Sequence, residues 1–169
     1  MLYSFLRFAS YPNVKKIGIF GIGSPFGDDQ LGWELIDTLQ HCREIQRFLP
    51  KYLHIKICDR PGTRLLNDWT DCGTVFLIDA LITDHLPGTV IRLEDAAIEH
   101  KYQSLSTHGF GLSHTLALGK ALGNFPSKII LYGINIGSHT LLEAVVMSYS
   151  KEKLLEQLLN EILMMCHKY

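Results

Sequence analysis

The most constraining feature of this sequence is the alternation of short apolar runs with longer segments in which apolar residues recur every three or four positions. Short apolar runs are typical of strands in a parallel sheet, and the periodic segments are typical of helices that cover it. This order predicts an α/β fold, a single three-layer α/β/α domain with a mainly parallel central sheet of about five strands. The predicted strands lie near residues 14–20, 54–58, 74–78, 90–93 and 128–134.

Three segments carry the apolar spacing of helices that pack one face against a sheet. The first follows the first predicted strand, with apolar positions at Leu31, Leu35, Ile36 and Leu39. The second precedes the last predicted strand, with its face at Leu112, Leu116, Gly119 and Leu122. The third is a C-terminal helix within residues 140–169, with its face at Leu154, Leu155, Leu158, Ile162 and Met165.

Length and composition indicate one domain over residues 1–169. A chain of this length with 47% apolar residues can bury a core of its own, and the sequence contains no repeat and no linker. Residues 1–12 have no basic residue before Arg7 and no convincing cleavage site, which argues against a signal peptide. No exposed apolar face is evident in the pattern, so we expect a monomer.

Charge and cysteine content argue against several classes of protein. The formal net charge of -1 provides no basic surface for nucleic acid or for an anionic membrane. No apolar run approaches the roughly 20 residues that a membrane-spanning helix needs. The four cysteines are far apart and form no C-x-x-C pair, which predicts reduced thiols in a cytoplasmic protein.

The segment after the first predicted strand combines a glycine-rich turn with two adjacent acids. Residues 21–29 read Gly-Ile-Gly-Ser-Pro-Phe-Gly-Asp-Asp, and the helical pattern begins at Leu31. Glycine-rich turns in this position usually bind phosphate through backbone N–H groups. Asp28 and Asp29 would place negative charge where the phosphate lies, so the turn indicates a bound cation instead.

The candidate metal-binding residues lie beyond the carboxyl ends of the predicted strands, which is where open parallel sheets bind their ligands. Asp28 and Asp29 follow the first strand, Asp79 closes the apolar run 75–78, and His108 immediately precedes the second helical segment. One carboxylate from the Asp28-Asp29 pair, the carboxylate of Asp79 and the imidazole of His108 predict a divalent metal site with oxygen and nitrogen ligands. Simpler roles stay open at this point, with Asp28 as a helix N-cap or first-turn acid and Asp79 as a turn former.

Standard catalytic motifs are absent from the sequence. It contains no G-x-S-x-G elbow, no H-E-x-x-H zinc helix and no G-x-x-x-x-G-K-[ST] loop. A dinucleotide site fits poorly, because from Gly21 the pattern runs G-x-G-x-x-x-G and Pro25 interrupts it. A nucleotide or flavin binder of the doubly wound type remains as an alternative.

Three motifs in their order and spacing resemble the [NiFe]-hydrogenase maturation endopeptidases. They are the stretch 21–32, the tripeptide Ile-Asp-Ala at 78–80, and Ser-Thr-His-Gly-Phe-Gly-Leu at 106–112. The likeness extends over residues 16–134. Residues 1–12 precede the point where proteins of that family usually begin, so the resemblance implies that they are an N-terminal extension. Residues 59–63, Asp-Arg-Pro-Gly-Thr, are similar to the Asp-Gly-Gly-Thr segment of that family, and Gln30 replaces its usual glycine.

The resemblance implies a cytoplasmic, aspartic-type endopeptidase that removes the C-terminal extension from the nickel-loaded precursor of the hydrogenase large subunit. The nickel-binding and catalytic residues of the family correspond to Asp29, Asp79 and His108, and Asp28 would support the loop. The nickel would be carried by the substrate, although other divalent metals could occupy the site. A non-catalytic chaperone that binds nickel or the precursor through the same residues is the alternative. The sequence assigns no role to His139.

Overall fold

The computed structural model describes residues 15–25, 30–60, 62–98, 109–137 and 141–167, without the side chains of 109–110 and 141–144. The strands are β1 (Lys16–Gly23), β2 (Leu53–Asp59), β3 (Cys72–Leu81), β4 (Val90–Glu94) and β5 (Lys128–Asn135). They form one sheet in the order β2-β1-β3-β5-β4. The first three pairings are parallel and only β4 runs antiparallel, against β5. The predicted α/β fold with a mainly parallel five-stranded sheet is therefore confirmed.

The helices are α1 (Leu31–Gln40), α2 (Arg43–Gln46), α3 (Thr63–Asp68), α4 (Gly109–Ala121) and α5 (Leu141–Cys166). The sequence predicted α1, α4 and α5. It did not predict α2 and α3, because helices this short complete hardly more than one period of the apolar pattern. No helix built from the described residues combines the length and the apolar character that a membrane span requires.

The helix α4 ends earlier than its apolar pattern indicated. Leu122 was predicted on the buried face, but it follows the end of α4 and its side chain is 65% exposed. Gly123 has φ +67, in the left-handed region where glycine commonly terminates helices. The apolar pattern therefore continued past the point at which the backbone leaves the helix.

Each face of the sheet packs against its own pair of helices. On one face, Ile17 and Ile19 of β1 belong to a core that includes apolar residues of α1 and α5. On the other face, Phe20 and Ile22 belong to a core that includes residues of α3 and α4. Ile19 and the next residue, Phe20, belong to different cores because successive side chains along a strand point to opposite faces of the sheet.

Two glycines bring α1 against the carboxyl end of β1. A Cβ atom on Gly21 would lie 2.1 Å from the carbonyl oxygen of Gly32, and a Cβ atom on Gly32 would lie 2.2 Å from that of Ile22. Only hydrogen atoms fit between these backbones, so both positions require glycine. The close approach fixes where α1 begins relative to β1.

A polar network joins α5 to the other edge of the sheet. Arg92 in β4 donates from Nε and Nη2 to the carboxylate of Glu161 in α5, at 3.1 and 2.7 Å. The Tyr132 hydroxyl in β5 donates to the same carboxylate at 2.7 Å. These bonds attach the long helix to two strands.

Candidate functional site

The sheet has a topological switch point between β1 and β3. From β1 the chain passes to β2 on one side, and it then returns to place β3 on the other side. In sheets of this kind the crevice beyond the carboxyl ends of the two central strands is where ligands bind. Gly21 of β1 is in register with Ile78 of β3, so the next residue, Asp79, lies at this crevice.

Asp79 lies inside β3, two residues before the end of the strand. The interpretation of Asp79 as a turn former is therefore wrong, because β3 continues through Leu81 by pairing with β5. Alternation along the strand places Asp79 on the face of Val75 and Leu77, which is covered by α3 and α4. Its neighbour in β5 is Gly133, which carries no side chain.

Burial distinguishes Asp79 from the other acids. Its side chain is 0% exposed, and no other carboxylate among the described residues is buried. Its Oδ1 accepts a hydrogen bond from the N–H of Ala80 at 2.9 Å. A buried carboxylate is costly unless hydrogen bonds or a cation compensate for the lost hydration. The carboxylate of Asp79 is therefore suited to interact with a cation.

Three of the candidates, Asp28, Asp29 and His108, lie outside the described residues, and their roles stay predictions. The described flanks are the end of β1 and the start of α1 on one side, and the start of α4 at Gly109 on the other. Across the first gap, the Gln30 side-chain amide donates to the carbonyl oxygen of Pro25, with Nε2 and O 3.2 Å apart. Within the described ranges, no three His, Cys, Asp or Glu residues form a possible metal site. Only Asp79 of the predicted set can thus be placed.

Asn135 is a second buried polar residue at this edge of the sheet, and it was not among the residues predicted from the sequence. Asn135 ends β5 and is 0% exposed. Its side-chain oxygen accepts the N–H of Thr83 at 2.9 Å, and its amide group donates to the carbonyl oxygens of Thr83 and His85. Its backbone pairs with Gly88 and Thr89. Asn135 therefore holds the loop that follows β3, and the strand-end rule that selected Asp79 would also have found it.

A cavity of about 410 Å³ opens at the carboxyl end of β2, on the other side of β1 from Asp79. Its described lining comes from α1, β2, α3 and the connection between the last two. The indole N–H of Trp33 in α1 donates to the carbonyl oxygen of Cys58, with Nε1 and O 3.4 Å apart. This bond ties one wall of the cavity to β2.

Cys58 also lines this cavity. Burial, reinforced by the nearby carboxylate of Asp68, raises the pKa of the Cys58 thiol to about 11. The thiol is therefore protonated at neutral pH, and a protonated thiol is a poor nucleophile.

In both sequence and structure, this chain is similar to hydrogenase maturation proteases. The family model for hydrogenase maturation protease matches residues 60–164. The hydrogenase 2 maturation protease of Escherichia coli strain K12 is 28% identical over 155 residues, which cover 85% of this chain and 88% of that protein. The structure of the hydrogenase maturating endopeptidase HybD from Escherichia coli has a TM-score of 0.69 at 24% identity, over 87% of this chain and 91% of that one.

A second solved structure shares the fold. The [NiFe] hydrogenase maturation protease HybD from Thermococcus kodakarensis has a TM-score of 0.62 at 22% identity, over 83% of this chain and 95% of that one. At this level of identity the structural likeness concerns the fold alone. The chain is assigned to a family from the family model, since that model covers more than half of the sequence.

Proposed function

Because the chain belongs to the hydrogenase maturation protease family and is therefore a peptidase, we propose that it removes the C-terminal extension of a hydrogenase large-subunit precursor. In this proposal the precursor is cleaved after nickel has been inserted, and the reaction takes place in the cytoplasm. The nickel belongs to the substrate, and the enzyme recognises it.

The position of Asp79 carries the proposal. A fully buried carboxylate lies at the switch point of the sheet, where ligands of this fold class bind. Burial removes the hydration of this carboxylate, and a cation delivered by the substrate would interact favourably with it. A site that is complete only when the nickel-loaded precursor is bound would make cleavage depend on the metal.

The proposed ligands of the substrate's nickel are Asp79, Asp29 and His108. Carboxylate oxygen and imidazole nitrogen are a donor set suited to divalent metals of this part of the transition series. In the sequence, Asp29 lies between β1 and α1, and His108 is the residue before α4. The helix α4 covers the face of the sheet to which Asp79 belongs. Asp28 is assigned to supporting the loop.

The metal would position the scissile peptide and supply Lewis-acid chemistry at its carbonyl or at an attacking water. Recognition of the metal makes the reaction conditional, because a precursor without nickel lacks the group that the three residues bind. The position of Asp79 in this site is fixed by β3, which pairs with a strand on each side.

The test is a processing assay on the nickel-loaded precursor of the cognate large subunit, with the change in its mass as the readout. We expect wild type to release the C-terminal peptide, and Asp79→Asn to leave the precursor intact. The control is Asp84→Asn, which makes the same chemical change at an exposed position in the loop after β3. Its cleavage rate should equal that of wild type.

A second variant separates loss of function from loss of fold. If Asp79→Asn unfolds, Asp29→Asn serves in its place, and circular dichroism confirms the fold of whichever variant is used. Cleavage by both variants at the wild-type rate would contradict the assignment of the site. Stable binding of the precursor by wild type without any change of mass would indicate a chaperone instead.

A further inference from the structure

From the cavity at the end of β2, we infer that the protein has a subsite for a carboxylate group of its peptide substrate, with Arg64 as the residue that binds it. The inference rests on the proposed function, because it assumes a peptide that extends across the carboxyl edge of the sheet. The described residues that line the cavity are Trp33, Lys56, Ile57, Cys58, Asp59, Arg60, Gly62, Thr63, Arg64 and Asp68.

Among the described residues that line the cavity, the charges leave one cation available. Lys56 in β2 forms an ion pair with Asp68 in α3, with Nζ and Oδ1 2.7 Å apart. Arg60 and Asp59 form a second pair, with Nε and Oδ1 3.3 Å apart. In the part of the chain that the structure describes, Arg64 forms no hydrogen bond or ion pair. The described lining of the cavity therefore has a surplus of one positive charge at Arg64.

An unpaired guanidinium beside a cavity is suited to a carboxylate. Arginine presents several N–H donors in one plane, and they match the two oxygens of a carboxylate in a bidentate arrangement. The two ion pairs in the cavity already satisfy Asp59 and Asp68, so neither acid needs Arg64 as a partner. An anionic group of a ligand could bind to Arg64 without breaking either pair.

The remaining walls of the cavity suit the stem of a side chain. Ile57 is 41% exposed although it is apolar, and Trp33 is held against β2 by its bond to Cys58. The volume of about 410 Å³ lies in the lower part of the range of ligand pockets, about 300 to 1,000 Å³. This space accommodates a short piece of peptide rather than a folded partner.

The cavity lies within reach of a peptide that is bound at Asp79. Asp59 in β2 is in register with Gly23 of β1, and Asp79 follows the residue in register with Gly21. Asp59 and Asp79 are thus separated by two strand spacings, about 10 Å in all. An extended peptide advances about 3.3 Å per residue, so the carboxylate would lie about three residues from the bond at the candidate site.

The experiment measures kcat/KM for cleavage of the nickel-loaded precursor by wild type and by Arg64→Ala, Arg64→Lys and Arg64→Glu. We expect Arg64→Ala to lower kcat/KM about tenfold to a hundredfold, as for other hydrogen bonds between charged groups. Arg64→Lys should retain part of the activity and Arg64→Glu should retain the least. Arg43→Ala is the matched control, since Arg43 is an exposed arginine in α2, which precedes the opposite end of β2.

The source of the carboxylate is identified from the substrate side. Acidic residues within about three positions of the scissile bond are changed to their amides one at a time, and a separate precursor carries an amidated C-terminus. One of these substrates should be cleaved equally well by wild type and by Arg64→Ala. An acidic side chain is the source if an internal change has this effect, and the terminal carboxylate is the source if amidation has it.

The outcomes separate this inference from the proposed function. If wild type cleaves the precursor and Arg64→Ala cleaves it with the same kcat/KM, the subsite is disproved and the proposed function stands. If Arg64→Ala is slower but every altered substrate keeps the full difference, Arg64 does not bind a carboxylate. If wild type releases no peptide at all, the proposed function fails, and the inference fails with it.

Discussion

Gly21 in β1 and Gly32 in α1 meet backbone to backbone, so that a Cβ atom on Gly21 would lie 2.1 Å from the carbonyl oxygen of Gly32. This contact places the first turn of α1 directly against the carboxyl end of β1. The residues between the two elements include Asp28 and Asp29, and they start and finish at positions that this contact fixes. The two glycines thus fix the distance between the end of β1 and the start of α1, which flank the predicted ligands Asp28 and Asp29 in the sequence.

Substitution of either glycine by alanine should destabilise the protein. The added methyl group would overlap backbone atoms that cannot rotate away, and overpacking of this kind costs about 1 to 3 kcal/mol or more. Chemical denaturation of Gly32→Ala measures the effect. Gly62→Ala is the control, because a Cβ atom on Gly62 would meet nothing closer than 3.9 Å and its backbone is extended. Equal stability of Gly32→Ala and wild type would contradict the close contact.

Replacement of Asn135 by alanine should release the loop after β3. The change removes the side-chain bonds to Thr83 and His85 and leaves their backbone groups without partners, which costs about 1 to 3 kcal/mol. Hydrogen exchange should then show faster exchange of the Thr83 amide than in wild type. The control is Asn160→Ala, at an exposed position in α5. Unchanged protection of Thr83 would show that Asn135 does not hold the loop.

The network at α5 predicts a dependence of stability on pH. Although burial acts in the opposite direction, hydrogen bonds from Arg92 and Tyr132 lower the pKa of Glu161 from its ordinary value of 4.5. A carboxyl with a lowered pKa in the folded state stabilises the protein fully above its unfolded pKa. That contribution is lost as the pH falls through the folded pKa.

Glu161→Gln should therefore be less stable than wild type at neutral pH, by about 1 to 3 kcal/mol. The difference should shrink as the pH falls below about 4.5, because wild type then loses the same charge. Denaturation curves at several pH values measure this difference. Glu156→Gln, at an exposed position of the same helix, should match wild type throughout. A difference that stays constant from neutral to acid pH would contradict the charged network.

Tyr132 shares this network and should titrate late. Burial, followed by its hydrogen bond to Glu161, raises the pKa of the Tyr132 hydroxyl to about 12. Comparison of the ultraviolet titration of wild type with that of Tyr132→Phe isolates this residue. We expect the missing absorbance step to lie near pH 12. A step at the ordinary value of 10.0 would mean that the hydroxyl is exposed.

The sequence predicted the long elements because their signals are local. Apolar runs marked all five strands, and the spacing of residues such as Leu154 and Leu158 marked α5. The end of β3 was misjudged because a charged residue in an apolar run resembles the end of a strand. Asp79 is instead enclosed by pairing with β5, and that pairing depends on residues about 50 positions away.

Only part of the candidate site could be predicted from the sequence. The rule that ligands bind beyond strand ends selected Asp79, and the structure places it at the switch point. Trp33 and Arg64 were missed because their common cavity exists only once β2 has paired with β1. No local pattern distinguishes Arg64 from any other exposed arginine in a short helix. Contacts of this kind follow from tertiary structure and not from spacing.

The protein alone should hold nickel weakly, because the proposed site is completed by the substrate. Metal analysis after gel filtration should find far less than one nickel ion for each chain. The control is the nickel-loaded precursor treated in the same way, which should keep its metal. Tight retention of nickel by the isolated protein would contradict a site that recognises the metal on its substrate.

Recognition of the substrate through its nickel is tested most directly by a comparison of the same precursor with and without inserted nickel. Both forms are incubated with wild type, and mass spectrometry of the intact chain follows the loss of the C-terminal peptide. We expect that only the nickel-loaded form is shortened and that the nickel-free form keeps its full mass. Equal cleavage of the two forms would contradict the claim that the enzyme recognises its substrate through nickel.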